Sequence, residues 1–127
     1  MYGNGITTNA KDSKVSIGGG HIVVPKNTNY GYYTLGAYQG TINVNTGTTG
    51  NSPGANTVQL DGDIFALDTG TVNAALTTAD SYLNGIVDNG GTANVWLQNG
   101  AEWFNAANNT RYKNDNEDVG AGGKSLV

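Results

Sequence analysis

The 127-residue chain contains no cysteine. Disulfide bonds, thiol catalysis and cysteine–zinc sites are therefore excluded together. Charged residues make up only 13% of the sequence, about half of their usual share. The six basic residues are scattered and face ten acidic ones, so the chain has no electrostatic footprint for nucleic acid or for an anionic membrane surface.

Long apolar runs are also missing. No run approaches the ~20 residues that a membrane-spanning helix needs, and the N-terminal sequence MYGNGITT lacks the shape of a signal peptide. We therefore expect no direct membrane insertion of this segment. The chain has a single histidine, His21, which leaves no second candidate for a histidine-based triad. On a strand beside Ile22, it is expected to pack or to lie on the surface.

Small and neutral polar residues are abundant instead. The sequence holds 20 glycines, 18 asparagines and 15 threonines, but it is also 37% hydrophobic with seven tyrosines and two tryptophans. Disordered chains carry more charge and fewer aromatic residues, so this composition favours a folded protein. Its length suits one domain, residues 1–127, with one modest core.

The apolar residues fall into short runs with β-type composition, separated by Gly, Asn or Asp. Apolar residues alternate with other residues in several runs, as in Ile42 and Val44, and this period of two predicts strands in an all-β protein. The predicted strands cover residues 15–17, 21–24, 32–35, 41–44, 57–60, 64–67, 71–74, 82–87 and 93–97.

A repeated phrase distinguishes among all-β architectures. The pattern Gly-Thr-x-Asn occurs at 40–43, 70–73 and 91–94, at intervals of 30 and then 21 residues. A sandwich needs no such internal repeat, whereas each coil of a solenoid meets the same environment as its neighbour. We therefore predict stacked coils, with the phrase marking equivalent strand starts.

A second repeat, an apolar residue followed closely by glycine, occurs at 60–62, 83–85 and 97–100. These glycines are expected to supply left-handed corners between strands. The unequal intervals predict a loop insertion at 45–56, a stretch of small and polar residues.

Three stretches together resemble the passenger region of bacterial autotransporter adhesins of the pertactin-like β-helix type. They are Leu60-Asp-Gly-Asp-Ile64, Asp80-Ser-Tyr-Leu-Asn-Gly85 and Asn94-Val-Trp-Leu-Gln-Asn-Gly-Ala-Glu-Trp103. In that family the recurring pattern is Gly-Asp-Ile, then Asp-Ser-x-Leu-x-Gly, then a strand ending Leu-x-x-Gly-Ala-x-Trp. The resemblance covers residues 58–104 well and residues 13–44 loosely. In the family another coil starts soon after this point, whereas here the polar residues 105–122 follow, which predicts a longer polar loop or a local end to the regular coil.

The resemblance implies a right-handed, single-stranded parallel β-helix, of which this chain is a fragment. It also implies display on a Gram-negative cell, with a signal peptide upstream and an anchoring membrane β-barrel downstream of this segment. The expected role is non-enzymatic attachment, without a cofactor or metal, to a protein or glycan of a host or neighbouring cell, or to another copy of the chain. A passive stalk and a polysaccharide-degrading β-helix enzyme are the alternatives.

Aromatic residues are the candidate ligand-binding groups. Trp96 lies between Val95 and Leu97, two expected core residues, and should therefore face outward. Tyr30, Tyr32 and Tyr33 cluster with glycine between them, and exposed tyrosines could stack on sugars or dock a protein. The alternative is that about half of this cluster fills the interior of a coil.

Carboxylates offer the enzymatic alternative. On one strand, Asp61 and Asp63 would point the same way and could form the acid pair of a glycosidase. With Asp68 they could also bind calcium, although the spacing fails the calcium-loop pattern because no Glu closes the ligand set. Solvated carboxylates at the corners of the coils are the simpler interpretation.

Overall fold

The structure is a computed structural model that describes residues 5–24 and 32–105, together with the backbone of residues 124–126. These residues form an all-β protein, as predicted, with no helix in the described part. Its strands are β1 (Ile6–Ile17), β2 (Gly20–Val23), β3 (Tyr33–Val44), β4 (Val58–Asp61), β5 (Asp63–Leu76), β6 (Tyr82–Asn84), β7 (Val87–Leu97), β8 (Glu102–Phe104) and β9 (Lys124–Leu126).

The strands form two parallel sheets. Sheet A has the order β1-β3-β5-β7-β9, and sheet B has the order β2-β4-β6-β8. Consecutive strands therefore alternate between the sheets, and each strand pairs with the strand that comes two later in the chain. This arrangement lets every parallel pair form through a crossover, which parallel strands require.

One hydrophobic core lies against both sheets. In sheet A, Ile42, Val72 and Ala93 occupy equivalent register positions, and in sheet B, Leu60 is aligned with Leu83. All of them are at most 2% exposed and belong to the same buried cluster. Each buried Val, Ile or Leu side chain contributes about 1.5–3 kcal/mol relative to an exposed one, so the alternating pattern holds the two sheets together.

The Gly-Thr-x-Asn phrases lie in register on neighbouring strands. Thr41 pairs with Thr71 and Thr71 with Thr92, so the three phrases occupy equivalent places in β3, β5 and β7. Their equivalence was predicted, but their position was not. They lie inside long strands, where register resumes after an irregularity, rather than at strand starts.

The glycines of these phrases are needed mainly because backbones approach closely. A Cβ on Gly70 would collide with the carbonyl oxygen of Ala37, and one on Gly91 would lie 2.5 Å from the carbonyl oxygen of Gly70. Only Gly40 of the three also has a left-handed φ, of 82°. At Gly70 and Gly91, which lack a positive φ, close backbone contact alone excludes a side chain.

The asparagines of the three phrases form a ladder across sheet A. Asn73 Nδ2 donates to Asn43 Oδ1 at 3.0 Å, and Asn94 Nδ2 donates to Asn73 Oδ1 at 2.8 Å. Asn43 Nδ2 also lies 3.4 Å from Ser16 Oγ, on the preceding strand of the sheet. We refer to Asn43, Asn73 and Asn94 as the asparagine ladder, whose amides tie three strands together through side chains.

The segment between β3 and β4 covers part of this ladder. Asn43 Nδ2 donates to the carbonyl oxygen of Thr48 at 3.3 Å, and a Cβ on Gly50 would meet the amide groups of Asn43 and Asn73. Asn45 is 4% exposed, and its Nδ2 donates to the carbonyl oxygens of Asn56 and Ala75. The predicted loop is thus held by polar contacts to neighbouring strands.

Two of the three copies of the second repeat occupy equivalent positions in the same sheet, and the third does not. Leu60 pairs with Leu83 in sheet B, and the next residue in that column is Trp103. Leu97 lies in sheet A, opposite Leu76. The expected equivalence of Leu97 is wrong because a shared short pattern does not determine which sheet a strand joins.

Candidate functional site

The outward residues of sheet B form two parallel rows, which we call the sheet B face. Each strand of this sheet has a central residue that packs with the core, and the residues on either side of it point outward. The first row is His21, Gln59, Tyr82 and Glu102, and the second is Val23, Asp61, Asn84 and Phe104.

Four side chains at the centre of this face are joined by hydrogen bonds, and we call them the polar cluster. His21 Nε2 lies 2.7 Å from Asp61 Oδ2, and the Tyr82 hydroxyl donates to the same oxygen at 2.6 Å. Asn84 Nδ2 donates to Asp61 Oδ1 at 3.4 Å. One carboxylate therefore links residues of β2, β4 and β6, at the surface rather than in the core.

The cluster changes the acidity of two of its members. Burial alone raises the pKa of the Asp61 carboxyl, but the hydrogen bonds from Tyr82, His21 and Asn84 outweigh burial and leave that pKa below its usual value. The hydrogen bond to Asp61, aided by burial and by the charge of the carboxylate, raises the pKa of Tyr82 to about 12. Near neutral pH the cluster thus contains a carboxylate and a phenol.

Exposed apolar side chains lie at both ends of the second row. Val23 is 61% exposed and Phe104 is 50% exposed, with Asp61 and Asn84 between them. The third large exposed apolar residue in the described part of the chain, Leu67, lies on sheet A. The sheet B face therefore combines hydrogen-bonding groups with exposed apolar surface.

The predicted ligand-binding residues do not gather at one place. Tyr30 lies outside the described residues. Trp96 and Tyr32 are half-buried, and Trp96 is on β7 of sheet A, opposite Ala75. Tyr33 is 2% exposed, so its inclusion as a ligand-binding residue is corrected: a buried ring cannot stack on a ligand.

Tyr33 instead belongs to an aromatic cluster on sheet A. Its ring stacks on Phe65 at a centroid distance of 4.8 Å, and Tyr38 contacts Phe65 at 5.0 Å in a tilted geometry. Ile86 is buried in the same small cluster, which is separate from the main core. Tyr33 therefore packs inside the protein, which was the alternative expected from the sequence for about half of the tyrosine cluster.

The two candidate carboxylates are separated by the fold. Asp61 ends β4 and is part of the sheet B face, whereas Asp63 begins β5 and is 0% exposed. Asp63 Oδ1 accepts a hydrogen bond from the backbone N–H of Ile86 at 2.9 Å. The expectation that both point the same way on one strand is wrong, because Gly62, at a φ of 146°, separates the two strands.

Within the described residues, no group of three or more His, Cys, Asp or Glu side chains comes together as a set of metal ligands. The same part of the chain has no helix of the length and apolar character that crossing a bilayer requires. The predicted polar loop at 105–122 lies, apart from its first residue, outside the described residues.

An open groove of about 440 Å³ lies between the end of β1 and the segment that follows β3. Asn45 and Asn56 line it, but the Asn45 amide bonds to two carbonyl oxygens, and Asn56 Nδ2 donates to the carbonyl oxygen of Gly18. These amides hold the segment in place, so the groove is a weaker candidate than the sheet B face.

The members of the polar cluster are far apart in the chain, and for this reason they were not predicted as a group from the sequence. Asp61 is 40 residues from His21, and Tyr82 is 61 residues from His21. A usable signal was nonetheless present: Ile22, Leu60 and Leu83 each have outward positions on both sides. Aligning those three residues would have placed the members of the cluster in adjacent rows.

The chain matches no protein-family model, and neither curated proteins nor solved structures include a significant match to it.

Proposed function

We propose that this chain is a segment of a right-handed parallel β-helix in the passenger region of an autotransporter adhesin. Support for the β-helix comes from strands that alternate between two parallel sheets and from repeated phrases that stack in register. Support for the family comes from the three stretches of sequence that resemble it. On this proposal the segment is displayed outside a bacterial cell and attaches that cell to a host or neighbouring cell, without catalysis.

The sheet B face is the observation that carries the adhesive role. The buried polar groups of the asparagine ladder stabilise the fold. Val23 and Phe104, by contrast, remain 61% and 50% exposed in one row of the sheet B face. An exposed aromatic ring beside oriented hydrogen-bonding groups offers a binding partner both apolar contact and polar contacts. A stalk that only separates other parts of a protein has no need of such a row.

Attachment of the purified, labelled chain to epithelial cells tests this proposal. We expect binding that saturates and that falls in a Val23→Ser/Phe104→Ser double variant. Leu67→Ser is the matched control, because it changes an exposed apolar residue on the other sheet. Trp96→Ala is a second comparison, which tests whether Trp96 on sheet A binds the ligand, as predicted from the sequence.

Each outcome of the attachment assay has a defined meaning. Loss of binding in the double variant alone supports attachment through the sheet B face. Equal loss in Leu67→Ser or in Trp96→Ala moves the adhesive surface to sheet A. A wild-type chain that has β-type circular dichroism and yet does not bind contradicts the adhesive role and favours the stalk.

A further inference from the structure

We infer that the sheet B face binds an uncharged glycan, whose hydroxyl groups bond to Asp61 and Asn84 while its apolar face rests on Phe104. This inference rests on the adhesive role proposed above and adds the chemical class of the ligand.

The face has the size of a short oligosaccharide rather than of a protein interface. Val23 and Phe104 stand three strands apart in one row, a length of about 14 Å at the ~4.8 Å spacing of strands. The two rows lie two residues apart, which is about 7 Å. Stable protein interfaces bury about 800 Å² on each partner, far more than these two rows offer.

The hydrogen-bonding groups between the apolar ends suit sugar hydroxyls. An ionised carboxylate has about four lone-pair sites, and the described contacts of Asp61 are two at Oδ2 and one long contact of 3.4 Å at Oδ1. Oδ1 can therefore accept a further hydrogen bond from a hydroxyl donor. Because Tyr82 and His21 hold the other oxygen, the carboxylate is oriented before a ligand arrives.

An aromatic ring lies beside these groups. The side chain of Phe104 is half exposed and follows Asn84 in the same row. The negative face of an aromatic ring attracts the positive C–H groups of a sugar, while its area offers apolar contact. The row thus places a stacking surface next to donors and acceptors, the combination that distinguishes a sugar from a purely apolar ligand.

The charge of the face decides the class of sugar. Asp61 and Glu102 contribute carboxylates, and the described strands of sheet B contain neither Lys nor Arg. The imidazole of His21 lies 2.7 Å from Asp61 and is therefore already engaged with that carboxylate. Sialylated, sulfated or uronic-acid glycans would meet like charge without a compensating base on these described strands, so the expected ligand is uncharged.

The test is a glycan array, carrying neutral and acidic glycans, probed with the labelled full chain. We expect binding to neutral glycans, with an affinity reduced at least about tenfold, or about 1.4 kcal/mol, by Phe104→Ala and by Asp61→Asn, because a few central contacts carry most of the energy of a binding surface. Asp61→Asn retains the shape of the side chain. Leu67→Ala serves as the matched control and should bind like wild type.

The outcomes separate this inference from the adhesive role. Neutral-glycan binding that both sheet B variants weaken, and that Leu67→Ala does not, supports the inference. Preference for acidic glycans, or neutral binding that neither sheet B variant changes, overturns it. Attachment to cells by a chain that binds no glycan also overturns it and leaves the adhesive role standing, whereas absence of both overturns both. Circular dichroism of each variant identifies loss of folding. Tyr82→Phe removes one hydrogen bond to Asp61 and should reduce the affinity for neutral glycans less than Asp61→Asn does.

Discussion

Asn73 is the central member of the asparagine ladder and bonds on both sides. It donates to Asn43, accepts from Asn94 and is 7% exposed. In Asn73→Ala both neighbours lose a partner in a largely buried place, which costs about 1–3 kcal/mol for an unsatisfied group. We expect a loss of that size in the free energy of unfolding, measured by equilibrium denaturation in urea.

Two further variants calibrate this result. Asn94→Ala removes the half-buried outer member and a single ladder bond, so it should cost less. Asn89→Ala, at an exposed position of β7, should stay within about 0.5 kcal/mol of wild type. Equal effects of Asn73→Ala and Asn89→Ala would show that the ladder contributes no stability.

Tyr82 gives a prediction for alkaline pH. Its folded pKa of about 12 exceeds the unfolded value of 10.0, so folding favours the protonated phenol. The stability that this shift contributes is fully present below pH ~10 and is lost as pH rises from ~10 towards ~12. The difference in unfolding free energy between wild type and Tyr82→Phe should therefore decrease over that window.

Tyrosinate absorbance provides an independent measurement of the same group. The difference spectrum between wild type and Tyr82→Phe should show a late titration, and Asp61→Asn should move it to lower pH. A Tyr82 phenol that titrates near 10 in wild type would contradict the hydrogen bond to Asp61.

Asp61 has the opposite dependence on pH. Its folded pKa is depressed by its hydrogen bonds, so its contribution is present above the unfolded pKa of ~3.9 and is lost as pH falls through the folded value. Compared with Asp61→Asn, wild type should lose stability more steeply in acid. Parallel acid unfolding curves for the two proteins would exclude this contribution.

At the scale of the strands, close backbone contact determines where glycine is required. Gly70 in β5 lies against the carbonyl oxygen of Ala37 in β3, so a side chain at this position has to displace backbone atoms. We expect Gly70→Ala to cost about 1–3 kcal/mol, as overpacked substitutions do. Its thermal unfolding midpoint should fall accordingly.

Gly36 in β3 is the matched control. A Cβ there would make ordinary contacts of 3.6–3.8 Å with Thr7 and Tyr33, so Gly36→Ala should be tolerated. It could even stabilise by about 0.4–1 kcal/mol, because alanine restricts the unfolded chain more than glycine does. A destabilisation equal to that of Gly70→Ala would mean that both variants are destabilised by the loss of backbone freedom of glycine, and not by a steric clash of the new Cβ.

At the scale of the whole molecule, one core cluster connects both sheets. Leu60 in β4 is 0% exposed, and we expect Leu60→Ala to cost about 2–5 kcal/mol. Far-ultraviolet circular dichroism follows all strands, whereas tryptophan fluorescence follows Trp96 and Trp103 on β7 and β8. With one shared core, the variant should shift both unfolding transitions equally.

Stacked repeats allow the opposite behaviour, because each contacts mainly its neighbours. If Leu60→Ala lowers the transition seen by circular dichroism and leaves that seen by fluorescence in place, then the strands unfold in separate groups. An unfolding scan of wild type by both methods is the necessary reference.

Local sequence identified most strand residues and the repeated phrases but not the strand boundaries: the runs predicted at 32–35 and 41–44 belong to the single strand β3, and those at 64–67 and 71–74 belong to β5. Ile42 and Val44 alternate with polar residues, and alternation is a property of neighbouring residues that can be read without a structure. The repeats at 70–73 and 91–94 were correctly predicted to be equivalent, because positions that pair in the sheet have the same surroundings and carry the same residues. The grouping of Asp61 with Asp63 failed because the chain turns between them at Gly62.

The sequence by itself determined the all-β class, most of the strand residues and the repeated phrases that lie in register on neighbouring strands. Only the tertiary structure decided which outward residues became neighbours. His21, Asp61 and Tyr82 meet because β2, β4 and β6 pair in one particular register, and that register depends on how the intervening segments close and on which apolar residues share the core. These are interactions between distant parts of the chain, so the sheet B face becomes visible only when the strands are stacked.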